Sequence, residues 1–251
     1  MKYIISIQNF FEIENETVTL DKGLPLSRTL SRVLLALTYA SKEKTKQDRE
    51  NALKHWLCKF LQVPETRFLV GSGAGPAVVT LFVIGKYSAR VEYEIGRLGK
   101  VYEASRVTEE MPRVMLVPEV PVLANGPDLQ ALCSTFHTDS LDTVPLEFYS
   151  KLLLPEKRDL EKYKGVLNFL EERAEFKIKF KDSEFVLIRN KKELPIGLAT
   201  QTQQFLLQFA LLIRSGEFEK VDYLVVERNR DEAALANICK FFNSSLIETK
   251  D

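Results

Sequence analysis

The run K-V-D-Y-L-V-V-E-R-N-R-D closes an apolar stretch on Glu227 and follows it at once with Arg228. An apolar strand ending in an acid is common in α/β proteins, and the guanidinium beside it stays protonated and cannot act as a base. Gly71-Ser72-Gly73-Ala74-Gly75-Pro76 supplies glycines of the kind that cradle phosphate, but no Lys-Ser/Thr follows them. The next residues, A-V-V-T-L-F-V-I, read as a strand where a phosphate loop needs a helix, so the run is expected to be a turn. His137 lies near Cys133 and Asp139 and could belong to a nucleophile or a metal site. The flanking polar loop and the lack of a second histidine nearby favour a surface histidine, and no metal is expected. Lys177, Lys179, Lys181, Arg189, Lys191 and Lys192 gather around one hairpin and could follow a nucleic-acid backbone through phosphate contacts. Glu175, Asp182, Glu184 and Glu193 interleave with them, so a solvated hairpin competes with that reading.

These groups need elements to hold them. Lys2 to Gln8 and Glu16 to Leu20 are β-branched runs separated by polar residues, which predicts two strands joined by a turn. After Gly23 and Pro25, Leu30, Val33, Leu34 and Leu37 fall at helical spacing, with Ser27 placed to cap the start. Lys42 to Glu50 reads as a charged, solvated stretch. It leads into a second helix bearing Leu53, Trp56, Leu57, Phe60 and Leu61, whose spacing suits a helix packed on the core or a partner-binding face. Residues 68 to 104 keep a period near two and predict an antiparallel β lobe with a turn at Leu98-Gly99-Lys100. Arg113 to Val117 predicts a strand, and the Pro/Gly-rich stretch after it an irregular loop. Helices are expected at Leu146 to Leu154 and Asp159 to Arg173, then a hairpin of Phe176 to Phe180 and Glu184 to Arg189. The last segment alternates helix (Gln201 to Ser215), strand (Tyr223 to Glu227) and helix (Asp231 to Phe242), which favours parallel strands with crossover helices.

Composition sets the class. A chain of 251 residues with 45% hydrophobic and 28% charged residues can bury one continuous core. Lys+Arg and Asp+Glu are both 35, so the whole chain has no electrostatic bias towards nucleic acid. The three cysteines, Cys58, Cys133 and Cys239, are widely spaced with no C-x-x-C pair, as expected of thiols in a reducing compartment. Acidic residues interrupt the N-terminus where a signal peptide would be apolar, and no apolar run approaches the length of a membrane span. A cytoplasmic, non-membrane protein is expected.

Three segments together resemble the ATP-binding-cassette ATPase heads of the SMC, RecF and OLD type. I-S-I-Q-N-F-F-E-I-E-N-E-T-V-T-L-D-K-G-L is similar to the strand pair that opens those heads and enters the phosphate loop. E-L-P-I-G-L-A-T-Q-T-Q-Q-F-L-L resembles their signature segment, and K-V-D-Y-L-V-V-E-R-N-R-D-E-A-A-L their acidic strand. The resemblance implies a P-loop NTPase-like α/β fold: a mixed sheet flanked by helices, with the antiparallel β lobe at 68–104. Residues 1–251 would form a single head-like domain, with 196–251 giving the signature-like helix and the acidic, Walker B-like strand.

It also implies a vestigial nucleotide site at Ser27, Arg28, Thr29, Thr200, Gln201, Glu227 and Arg228. Ser27 stands where the phosphate-binding lysine belongs and Arg28 where the magnesium hydroxyl belongs, after a loop, G-L-P-L-S-R, several residues too short to wrap a phosphate. Thr200 could keep one hydroxyl of the signature, but Gln201 and Thr202 replace its small residues. Glu227 matches the magnesium-supporting carboxylate and Arg228 replaces the water-polarising one. The expectation is a catalytically inactive head without cofactor, acting as an interaction or regulatory subunit that pairs with itself or with an intact ATPase paralogue. The alternative is a nucleic-acid-associated factor of DNA-repair or mobile-element type using the basic hairpin. A third reading, an enzyme with a site in the loop between Val117 and Asp142, has nothing at catalytic spacing behind it.

Overall fold

A computed structural model describes residues 2–11, 13–20, 26–84, 89–106, 111–119, 121–128, 130–131, 143–154, 159–182, 184–228 and 230–250. Residues 23–25 of the expected G-L-P-L-S-R loop and the Cys133–His137–Asp139 cluster lie outside the described residues. The chain divides into two compact units, one of 1–116, 138–142 and 247–251, the other of 117–137 and 143–246.

In the first unit, β1 (Lys2–Phe10) and β2 (Ile13–Leu20) are antiparallel, with Ile7 opposite Glu16. They meet across Phe11, whose positive φ of 52° makes the turn tighter than the polar run suggested. β1 also pairs with β4 (Ala77–Ile84), which is followed by β5 (Ala89–Ile95) and β6 (Val101–Arg106). The sheet order is β2-β1-β4-β5-β6, so the opening strand pair and the β lobe are one antiparallel sheet. Between β1 and β4 in the chain come β3 (Leu26–Ser27), α1 (Arg28–Ala40) and α2 (Lys46–Leu61). Leu30, Val33, Leu34 and Leu37 of α1, with Leu53, Leu57 and Phe60 of α2, are all buried at helical spacing. The face carrying Leu53, Leu57 and Phe60 is core. β12 (Ser245–Lys250) ends here as the parallel neighbour of β3, with Lys250 opposite Ser27.

In the charged stretch before α2 the structure departs from expectation. Arg49 and Glu50 already belong to α2 and face inward. Arg49 Nε and Nη2 each donate to the Glu103 carboxylate at 2.7 Å, and Tyr93 Oη donates to the same group at 2.9 Å. Glu50 Oε1 accepts the Glu103 N–H at 2.8 Å. A buried carboxylate is tolerable only when it is neutralised and hydrogen-bonded, and here the sheet edge supplies one end of the network and α2 the other. Hydropathy sees only polar residues there, because their partners on β5 and β6 lie more than forty positions away in the chain.

The second unit holds β7's last residue (the strand spans Val114–Val117), α3 (Val144–Leu152), α4 (Lys164–Ala174), α5 (Gln201–Ser215), β11 (Tyr223–Val226) and α6 (Glu232–Phe242). Glu227 N–H donates to Val117 O at 3.0 Å and Ser245 N–H to Asp222 O at 2.8 Å, so the ends of β7 and β12 flank β11. Phe205, Phe209 and Phe218 interlock edge-to-face at the centre of this core. β8 (Lys177–Lys181), β9 (Glu184–Arg189) and β10 (Lys192–Pro195) form a separate antiparallel sheet. Its third strand, like β3 and β12, was not anticipated, since each is short, polar, or fixed by a distant neighbour. No described helix is long and apolar enough to cross a membrane.

Replacing Arg49 with alanine leaves Glu103 buried without its bidentate partner, with only the more distant Arg106 charge at 3.7 Å, and is expected to cost about 3 kcal/mol in urea unfolding at pH 7. Burial alone would push the Glu103 carboxyl up, but the hydrogen bonds from Arg49 and Tyr93 and the charges of Arg49 and Arg106 hold it below the usual range. A depressed carboxyl stabilises the fold above its unfolded value and loses that contribution as pH falls through the folded one. The gap between wild type and Arg49→Ala should therefore narrow on acidification, and a gap independent of pH between 7 and 3 would contradict this role.

Candidate functional site

The expected nucleotide-site residues fall in both units. Ser27 is the N-cap of α1, with an extended backbone at φ −64° and ψ 153°. Its Oγ accepts the Leu30 N–H at 3.2 Å, which settles one orphan donor of the helix start. The hydroxyl's single proton goes to Glu16 Oε2 at 3.0 Å. A carboxylate from β2 thus already stands by the positive end of α1, the place that favours an anion. No acidic residue lies in the helix's own first turn. Arg28 is exposed and Thr29 half-buried at the first two helical positions.

In the second unit, Thr200 caps α5 through a reciprocal pair: Thr200 Oγ1 accepts Gln203 N–H at 3.2 Å and Thr200 N–H donates to Gln203 Oε1 at 2.9 Å. This capping box fixes the helix start with its own side chains. Gln201 and Thr202 are exposed on the first turn, beside exposed Leu198.

Glu227 and Arg228 follow β11 and are joined by two residues the sequence did not single out. Glu227 Oε2 accepts the Glu119 N–H at 3.1 Å, Arg228 Nη1 lies 3.2 Å from Glu119 Oε1, and Arg230 Nη2 donates to Glu119 O at 3.0 Å. Glu119 sits two residues beyond β7, and only the pairing of Glu227 with Val117 brings it here. Burial and the neighbouring Arg228 charge lower the Arg230 pKa against the opposing pull of Glu119. The position after Glu227 therefore holds a cation paired with a carboxylate.

The basic hairpin does not present one surface. Cross-strand register places Lys177, Lys179 and Lys181 on one face with Ile188, Val186 and Glu184, and places Arg189 with Lys192 on the other. Lys191 lies in the β9–β10 turn at φ 64°. Lys177 faces Glu171 at 3.8 Å, Lys181 faces Glu193 at 2.8 Å and Arg189 faces Glu175 at 3.3 Å. Gly71–Pro76 is a turn braced by Asn9, which accepts the Gly73 N–H at 3.1 Å and donates to Gly75 O at 2.7 Å. A Cβ on Gly71 would stand 2.6 Å from Phe11 O, which is why that position is glycine. Cys58 is half-buried, while burial pushes the Cys239 thiol up to about 11, which makes it a poor nucleophile. No group of His, Cys, Asp and Glu among the described residues is arranged to hold a metal ion.

No protein-family model matches this sequence, and no curated protein does. Solved structures do. An SMC head bound to the C-terminal winged-helix domain of ScpA aligns over 99% of this chain and 89% of its own, at 8% identity and a TM-score of 0.52. An SMC head with an extended coiled coil, bound to the C-terminal domain of ScpA from Pyrococcus furiosus, aligns over 100% and 90% at 10% identity and 0.48. The recombination mediator RecF with ATP aligns over 100% and 94% at 12% identity and 0.49. The chain has the mixed α/β fold of the ATP-binding-cassette ATPase head, with an antiparallel sheet lobe.

Ser27→Ala removes the cap and the Glu16 partner together and is expected to lower stability by about 1 kcal/mol. Ser27→Asp, which retains a capping acceptor but sets it against Glu16, should recover only part of the loss in thermal melts. Full recovery would show that Glu16 exerts no field at this helix start.

Proposed function

We propose that this chain is a non-hydrolysing ATPase-head-like protein that works as an interaction or regulatory subunit, residues 1–251 acting as one head. It pairs with a second copy or with an intact ATPase paralogue and needs no nucleotide cofactor. The observation that carries this reading is at Ser27: the hydroxyl is used twice, and the anion seat at the start of α1 has the Glu16 carboxylate beside it. Arg228 supports it independently. A guanidinium paired with Glu119 cannot accept the proton of an attacking water, so the hydrolytic step has no base at that position.

What such a protein keeps is surface. The solved SMC head of the same fold is bound to a partner protein's winged-helix domain. A head relieved of catalysis retains packed helices and sheets on which a protein partner can dock, and Gln201, Thr202 and Leu198 lie open at the start of α5.

Isothermal titration with ATP and magnesium is expected to give no heat above dilution, and phosphate release should stay at the level of buffer. Micromolar binding with turnover would refute the reading. Sedimentation of the full chain, alone and after affinity capture from its native cell, identifies whether the associated species is a second copy or an ATPase.

A further inference from the structure

One cluster on α1 and α2 uses neither the expected nucleotide-site residues nor the hairpin lysines. Tyr39 at the end of α1 and Trp56 on α2 are half-buried, with ring centroids 4.6 Å apart. Trp56 stacks on buried Phe60 at 5.2 Å and an interplanar angle of 24°, and His55 meets it edge-on at 5.1 Å. The Lys42 ammonium stands 4.3 Å from the Tyr39 ring centre and the Lys59 ammonium 5.6 Å from that of Trp56. Lys42, Lys54, His55 and Lys59 are exposed.

The charge here is one-sided although the chain is neutral. There is no Asp or Glu from Arg28 to Lys42, nor from Asn51 to Pro64. The nearby acids are mostly engaged: Glu50 turns inward to the Glu103 N–H, Asp48 accepts from Thr45 at 2.6 Å, and Glu65 pairs with Arg67 at 3.1 Å. Glu43 stands next to Lys42.

We propose that this α1–α2 surface is a stacking platform for single-stranded nucleic acid. Lysines that lie over aromatic rings at rest can swing outward to phosphates, and the ring surfaces they uncover accept bases. The ligand must offer flat π faces and negative charge in alternation, which a single strand does. An acidic protein segment offers only the charge, and a duplex keeps its bases stacked internally. Phe60 packs against both rings, at 5.2 Å from Trp56 and 5.7 Å from Tyr39, so the platform is formed before any ligand arrives.

Trp56 is the sole tryptophan, so its emission reports the site directly. The full chain is titrated with a twenty-nucleotide oligo-dT, read by tryptophan emission and by polarisation of a labelled strand. Saturable quenching is expected, with affinity falling about twentyfold as salt rises from about 50 to about 200 mM, the dependence of roughly three phosphate contacts. Lys42→Ala with Lys59→Ala should weaken binding at least about fivefold with an unchanged thermal midpoint, and Lys177→Ala with Lys179→Ala and Lys181→Ala should leave the quenching intact. The proposal is overturned by an absence of binding, by binding without quenching, by wild-type affinity in the Lys42/Lys59 variant, by dependence on the hairpin lysines, or by equal quenching with poly-glutamate.

Discussion

The hydroxyl of Ser27 ties together the parts that define this protein. It caps α1, bonds a carboxylate from β2, and belongs to the residue beside which β12 runs parallel. A serine oxygen has one proton to give and few lone pairs to offer, and both capacities are used. One of the orphan backbone donors at the start of α1 is thereby capped, and a carboxylate from β2 stands beside the helix's positive end.

A similar economy appears at β11. Strand pairing brings Glu119, two residues past β7, beside the residues that follow β11, and Glu119 links Glu227, Arg228 and Arg230. Thr200 and Gln203 close the start of α5 in the same way, by a reciprocal cap. Polar groups at three element ends thus help to hold those ends in place.

The buried network about Glu103 shows how polarity can mislead at the level of sequence. Arg49 and Glu50 sit within a run of charges that any hydropathy reading assigns to solvent, yet both turn inward to Glu103 on β6, Arg49 to its carboxylate and Glu50 to its backbone N–H. A bidentate guanidinium and a tyrosine hydroxyl make that burial sustainable. Conversely, Trp56 lies among Leu53, Leu57 and Phe60 in the pattern of a core helix, and those three are core, while Trp56 itself remains at the surface with lysines around it.

The sequence by itself determined the elements whose signals are local: α1 with its Ser27 cap, α5 with Thr200 at its start, the alternating strands β5 and β6, and the apolar strand β11 ending before Glu227. Side-chain period and capping chemistry act within a few residues, so they can be read along the chain. Only the tertiary structure decided the partners of the functional side chains. That Glu16 reaches Ser27, that Glu119 reaches Arg228, and that the six hairpin cations divide between two faces and a turn all depend on strand register. Register is set by pairing between segments distant in sequence, and a shift of one residue turns every side chain to the opposite face.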